Sequence, residues 1–169
     1  MRIDELSPTK SLELLRRIVE KRGTNEELQK VAGLCGHLPL ALRVAGDFLR
    51  LKADWTVERY VQALENERLK WLKVGNAREK DVDYVLKLSS AQLVRDNPGL
   101  ALRWHFLADW PADFAAAAAA AAWDMDPNDD AVLEDLSELV DRSMVLFDER
   151  TFRYRLHDLM KQIAAELFA

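Results

Sequence analysis

This chain has almost no cysteine, no glycine loop fit for gripping phosphate and no long apolar run, and each absence removes a class of function. A single cysteine, Cys35, stands among 169 residues, so no internal disulfide can form and the fold must rest on its core. Val31, Ala32 and Leu38 surround it in sequence and no basic residue precedes it within a turn, which predicts a buried apolar filler and not a reactive thiol. A phosphate-hydrolysing loop ends in Gly-Lys-Ser or Gly-Lys-Thr. The glycines here are Gly23, Gly33, Gly36, Gly46, Gly75 and Gly99, and none is followed by lysine. One cysteine and three widely spread histidines make no zinc spacing, and no serine or cysteine pairs with a histidine at a legible interval. The chain alone is therefore expected to have no catalytic residues, no metal ligands and no enzymatic activity. No stretch approaches the roughly 20 apolar residues that span a bilayer, and no basic-then-apolar leader opens the chain, so a cytoplasmic location without a membrane partner is expected. Twenty-four Lys and Arg against 29 Asp and Glu leave a net charge of −5, which offers no general field for nucleic acid.

What is present suits a packed fold: 49% hydrophobic and 31% charged residues lie well inside the globular range. Ser7-Pro8 reads as N-cap and first helical residue, with Leu12, Leu15, Ile18 and Val19 at helical spacing up to Gly23. Thr24 and Glu27 form a capping box before Leu28, Val31 and Ala32, and the stretch Gly33 to Gly36 stops that helix. Pro39 starts a third, in which Ala45 and Gly46 are small enough to admit a neighbouring helix closely. Thr56 caps a fourth, with Val57, Tyr60, Val61 and Leu64 on one face. Four short helices predict a small bundle over residues 1–75.

Gly75 to Lys80 carries no apolar residue larger than alanine, so 76–80 is the expected linker and 81–169 a second unit. Its first helix runs from Val82 past Leu93, Asn97-Pro98 opens the next, and Asp113 is a candidate cap for a helix through the alanine run 115–122. Asp126-Pro127 is read as the start of a helix bearing Val132, Leu133, Leu136, Leu139 and Val140 on one face. Met144 to Phe147 and Thr151 to Leu156 then read as a β-hairpin, and Leu159, Ile163, Ala164 and Leu167 as a closing helix. The fold class expected is mainly α: a small helical bundle followed by a winged-helix domain with a β-hairpin.

Two short stretches carry a resemblance. Leu38-Pro39-Leu40-Ala41-Leu42 resembles the Gly-Leu-Pro-Leu signature of the NB-ARC branch of the STAND nucleotide-binding proteins, with His37 where the family has its first glycine. Leu156-His157-Asp158 resembles the Met-His-Asp signature that ends their winged-helix domain, leucine replacing methionine at nearly equal volume. Leu86 to Leu93 is similar to the helix that opens that domain, with Ser90 in place of a tyrosine. The resemblance implies the helical and winged-helix subdomains of a longer protein, residues 1–6 being the tail of a preceding P-loop ATPase domain. It further implies that ADP or ATP binds in the full-length parent and not tightly to this chain alone, with Leu38, Pro39 and Leu40 against the base and His157 at the β-phosphate. The implied partners are the upstream ATPase domain in cis and other protomers on activation, and the implied role is a regulatory nucleotide switch controlling oligomerisation or signalling.

Two alternatives stand beside it. A winged-helix DNA-binding regulator would need basic or amide side chains on the helix from Asp129 to Arg142. That helix carries Asp129, Asp130, Glu134, Asp135, Glu138 and Asp141 against Arg142, which argues against nucleic acid despite Arg150, Arg153 and Arg155 on the hairpin. A nucleotide-independent helical interaction module would leave Pro39 and His157 purely structural. Trp55, Trp71, Trp104, Trp110 and Trp123 are expected as core or interface anchors, and His105 as a structural residue.

Overall fold

The computed structural model describes residues 5–73, 82–110 and 112–168. The chain divides into two compact units, residues 1–89 and 90–169, and the expected linker 76–80 lies outside the described residues.

In the first unit, α1 (Pro8–Val19), α2 (Asn25–Leu34), α3 (Pro39–Leu51) and α4 (Val57–Lys73) form the bundle, and α5 (Asp83–Asp96) begins. The caps are those the sequence predicts: Ser7 Oγ accepts from Lys10 N–H at 3.2 Å, Thr56 Oγ1 accepts from Arg59 N–H, and Thr24 and Glu27 close the reciprocal box. α1 packs on both α2 and α3. Gly46 makes the α1–α3 approach possible, because a Cβ there would sit 2.9 Å from Ile18 Cγ2 and 3.1 Å from Ile18 Cβ. Leu15, Leu28, Leu42, Leu49 and Leu64 are fully buried, and Phe48 anchors an aromatic cluster, stacked on Tyr60 at 4.7 Å and edge-on to Trp55 at 4.9 Å. Two arginines tie loops to helix ends. Arg16 donates to the carbonyls of Glu20, Arg22 and Gly23 and to Asn25 Oδ1, and Arg22 donates to the carbonyls of Leu49 and Trp55.

The second unit contains α6 (Pro98–Leu107), α7 (Ala116–Ala122), α8 (Asp130–Asp141), the antiparallel strands β1 (Leu146–Asp148) and β2 (Arg153–Arg155), and α9 (Asp158–Glu166). Phe147 lies opposite Tyr154 in the hairpin, and Tyr154 also exchanges both backbone hydrogen bonds with Phe114, so a single residue ahead of α7 extends the ladder. Trp104 is fully buried and donates its indole N–H to the Met144 carbonyl, while Trp123 donates to the Arg103 carbonyl. Trp55 is buried as well, whereas Trp110 is partly exposed and lies 6.0 Å from Phe114; the Trp71 side chain is outside the described residues. His105 has the partner the sequence could not name: its Nδ1 lies 2.7 Å from the Ala164 carbonyl and therefore carries the proton.

Four expectations for this unit are overturned. Leu133 does not share the buried face of α8: that face is Val132, Leu136 and Leu139, and Leu133, turned about 100° from Val132, is 52% exposed. Asp113 does not cap α7, whose N-cap is Ala115; the Asp113 carboxylate instead accepts from Arg153 Nε at 2.8 Å, which fastens the hairpin. α8 starts at Asp130 under an Asp129 cap and not at Pro127, because Asp126 Oδ1 accepts from Asn128 N–H in an Asx turn that competes with the helix. The strands are shorter than read. Met144 and Val145 both donate to the Leu139 carbonyl at the end of α8 and are lost to β1, and Phe152 takes φ 56° in the turn, which removes Thr151 and Phe152 from β2.

Candidate functional site

The first candidate stretch is the junction of α2 and α3. α2 ends in a Schellman motif: Gly36 N–H donates to the Gly33 carbonyl and His37 N–H to the Ala32 carbonyl, with Gly36 at φ 59°. His37 follows in the same left-handed region at φ 56°, a conformation that costs a non-glycine residue about 1 kcal/mol. The position where the resembled signature has glycine is thus one whose backbone favours glycine. Histidine is held there by two contacts. Its Nδ1 lies 2.9 Å from the Oγ of Ser11, a fully buried serine on α1, and its carbonyl accepts from Leu6 N–H at 2.9 Å. Leu38 is extended, at φ −84° and ψ 129°, as the residue before a proline must be, and Pro39 opens α3 with no side-chain cap. Leu38, Pro39 and Leu40 are each half-buried, so this helix start shows an apolar rim to its surroundings.

Cys35 closes the same junction from inside. It is fully buried, its thiol points at the Ala41 carbonyl at 3.5 Å, and burial pushes its pKa far up, so it packs and does not react. Tyr84 donates to the Leu34 carbonyl, and Tyr60, with a buried hydroxyl, has its pKa raised first by burial and then by Cys35 and Tyr84. The Ser11–His37 pair escaped the sequence because 26 residues separate the two and only the α1–α2 packing brings them together. With its hydroxyl inside the core, the pair fixes the junction.

The second candidate, His157, is the N-cap of α9. Its Nδ1 accepts from Leu159 N–H at 3.2 Å, which fixes the tautomer: a neutral imidazole capping in this way carries its proton on Nε2. The side chain is partly exposed, and Leu156 before it is buried as the apolar anchor of the turn. A half-exposed N–H donor beside the free N–H groups of a helix start can receive an anion. Leu38, Pro39 and Leu40 thus lie together in the first unit, and His157 lies in the second. Among the described residues, no group of three His, Cys, Asp or Glu side chains is arranged to hold a metal ion, and no helix is long and apolar enough to cross a membrane.

The fold and these two helix starts define the class: a mainly helical protein of two units, the second with the winged-helix order of helices, a two-stranded hairpin and a final helix. No family model matches the chain. It is homologous to a segment of the Regulatory protein AfsR of Streptomyces griseus, with 39% identity over 166 residues, and of Streptomyces coelicolor, with 37%. Both alignments take in 96% of this chain and 16% of the relative, so the chain spans about one sixth of the length of the curated proteins it matches.

Proposed function

We propose that this chain is the regulatory segment of a larger STAND/NB-ARC-type nucleotide switch, closing over ADP held by an upstream ATPase domain and controlling oligomerisation or signalling. The observation that carries the reading is the tautomer of His157: with Nδ1 engaged by the helix it caps, Nε2–H is left as a neutral donor at a positive helix end. That combination fits a diphosphate. The half-buried apolar rim of Leu38, Pro39 and Leu40 fits the face of a base, since Pro39 brings no N–H that would need a partner there. Homology to proteins named as regulatory supports a regulatory role for the parent. When bound, ADP supplies the bridge between the ATPase domain and this segment. The residues of this chain contribute an apolar wall and one hydrogen-bond donor, and the chain itself performs no catalysis. The bias toward the closed state equals the difference in ADP affinity between the closed and open states.

Purification of the intact parent from its source tests this reading. Stoichiometric ADP released on denaturation supports the switch, and a parent that carries no nucleotide and binds none when supplied refutes it. The winged-helix order and the arginines at 150, 153 and 155 favour a second reading, a DNA-binding wing. A duplex gel shift that weakens with salt and is lost in Arg150→Glu/Arg155→Glu would support it; the acidic α8 predicts no shift.

A further inference from the structure

The hairpin divides its side chains between two faces. Phe147 and Tyr154 take one, with ring centroids 4.8 Å apart and Phe114 a further 6.0 Å from Tyr154. The register sets Leu146 against Arg155 and Asp148 against Arg153, which puts these four on the other face. Two cavities lie along it. The larger, about 460 Å³, is lined by residues 146–150 of the hairpin with Arg153, Arg155 and Asp113. The smaller, about 120 Å³, lies where β2 runs into α9, between Trp110, Leu156, Arg155, Asp158 and Lys161 and backed by the buried Leu107 and Phe114. Arg155 and Asp113 belong to both, so the cavities adjoin. Most charges around them are satisfied. Asp113 accepts from Arg153 Nε at 2.8 Å, and Asp148 accepts from the Arg150 N–H of its own turn at 2.9 Å, with Arg150 Nε 3.8 Å away. Glu149 is exposed at that turn and lines the larger cavity alone. Asp158 stands in the first turn of α9, where the helix offsets its charge. Arg155 and the half-buried Lys161 have no ion pair or side-chain hydrogen bond among the described residues, and the indole N–H of Trp110 has no partner there either.

We propose that the small cavity takes the C-terminal carboxylate of a peptide from another protein, and that the residues before that carboxylate lie in the larger cavity along the hairpin. Two unpaired cations on one small cavity call for an anion, and the fork of Arg155 meets a carboxylate through two parallel hydrogen bonds. A single negative charge suits the site best, because a dianion would stand against Asp158 as well. The 120 Å³ beside Trp110 and Leu156 have room for one small terminal residue. The 460 Å³ beyond Arg155 fall in the size range of ligand pockets, and walls of charged side chains there suit the amide groups of an extended chain better than an apolar body. His157 lines neither cavity, so the contact is independent of the nucleotide reading.

An NMR titration of the whole 169-residue chain, labelled with nitrogen-15, tests it. The probe is a tetrapeptide of alanine, serine, alanine and valine, acetylated at its N-terminus and ending in a free carboxylate. The expected result is a saturable shift of the Trp110 indole signal and of the Arg155 and Lys161 amides. The same peptide ending in an amide should bind about tenfold more weakly, the loss expected for one charge-assisted contact. Acetyl-valine, which carries the carboxylate without the preceding residues, should also bind about tenfold more weakly if the larger cavity holds the chain. Arg155→Gln/Lys161→Gln should weaken the tetrapeptide at least tenfold with an unchanged circular dichroism spectrum. The comparison of acid with amide is made on the unaltered chain, so it decides the matter even where the substitutions disturb the fold. No saturable shift at millimolar peptide overturns the proposal, as does equal affinity for acid and amide, equal affinity for tetrapeptide and acetyl-valine, or binding that a folded Arg155→Gln/Lys161→Gln variant retains.

Discussion

At the residue scale, three helices end on the same device and only one uses the residue it favours. α2, α7 and α8 each close with paired backbone bonds around a left-handed residue, which is Gly36 in the first, Asp124 in the second and Ser143 in the third. Glycine made the first end legible in the sequence; aspartate and serine gave no such signal, and so the ends of α7 and α8 were read only from where the apolar pattern stopped. Asp124 is exposed and places a negative charge at a helix C-terminus, so Asp124→Gly should stabilise the chain by about 1 kcal/mol in urea unfolding. His37 is the reverse case, a strained residue kept by its contact. His37→Gly relieves the backbone and strands the buried Ser11 hydroxyl, so a double-mutant cycle with Ser11→Ala should return a coupling of about 0.5–1.5 kcal/mol. Zero coupling would show that the pair does not hold the junction. Cys35 gives a pH test. Its folded pKa is raised, so the folded state keeps a proton that the unfolded thiol loses above about 8.5, and stability should fall above that pH by about 1.4 kcal/mol per unit. Cys35→Ala should remove that slope between about pH 8.5 and 10, as read from urea midpoints; above that range Tyr60, whose pKa is also raised by burial, adds a loss of the same sign.

At the element scale, the helix starts were the most legible feature of the chain, because Ser7-Pro8, Thr24 with Glu27, Thr56 and Asn97-Pro98 each satisfy backbone donors in a way only a few residue types can. The hairpin was legible in kind and not in extent, since alternation marks a strand but does not reveal that a preceding helix has already claimed the backbone of Met144 and Val145. The Phe114–Tyr154 bridge was invisible, as one paired residue has no period. The small pair Ala45 and Gly46 marks a point of close helix approach in the sequence, and Ile18 of α1 packs against Gly46. Gly46→Ala, which in a free helix would gain about 1 kcal/mol, should here cost about 1–3 kcal/mol, because the Ile18 Cβ cannot yield without moving α1. Ile18→Ala in the same chain should recover part of that loss, and thermal unfolding of the unaltered chain, the two single variants and the double variant reads both effects.

At the scale of the whole molecule, two units stand in one chain, each with its own core, and the residues that resemble a nucleotide signature are divided between them. Both stretches stand out in the sequence through their resemblance to two signatures, since a proline or a histidine at a helix start is by itself an ordinary feature. What the sequence could not supply was the state of His157, which depends on the ring nitrogen that meets the Leu159 N–H. That bond also separates the two roles of the residue. Asparagine caps a helix as well as histidine does but is too short to offer a donor beyond the cap. The most direct measurement is therefore the rate of ADP release from the intact parent carrying His157→Asn. The switch predicts a folded protein that releases ADP about tenfold faster, the loss expected for one hydrogen bond to a charged phosphate. An unchanged rate in that folded variant would contradict it and leave His157 as a helix cap alone.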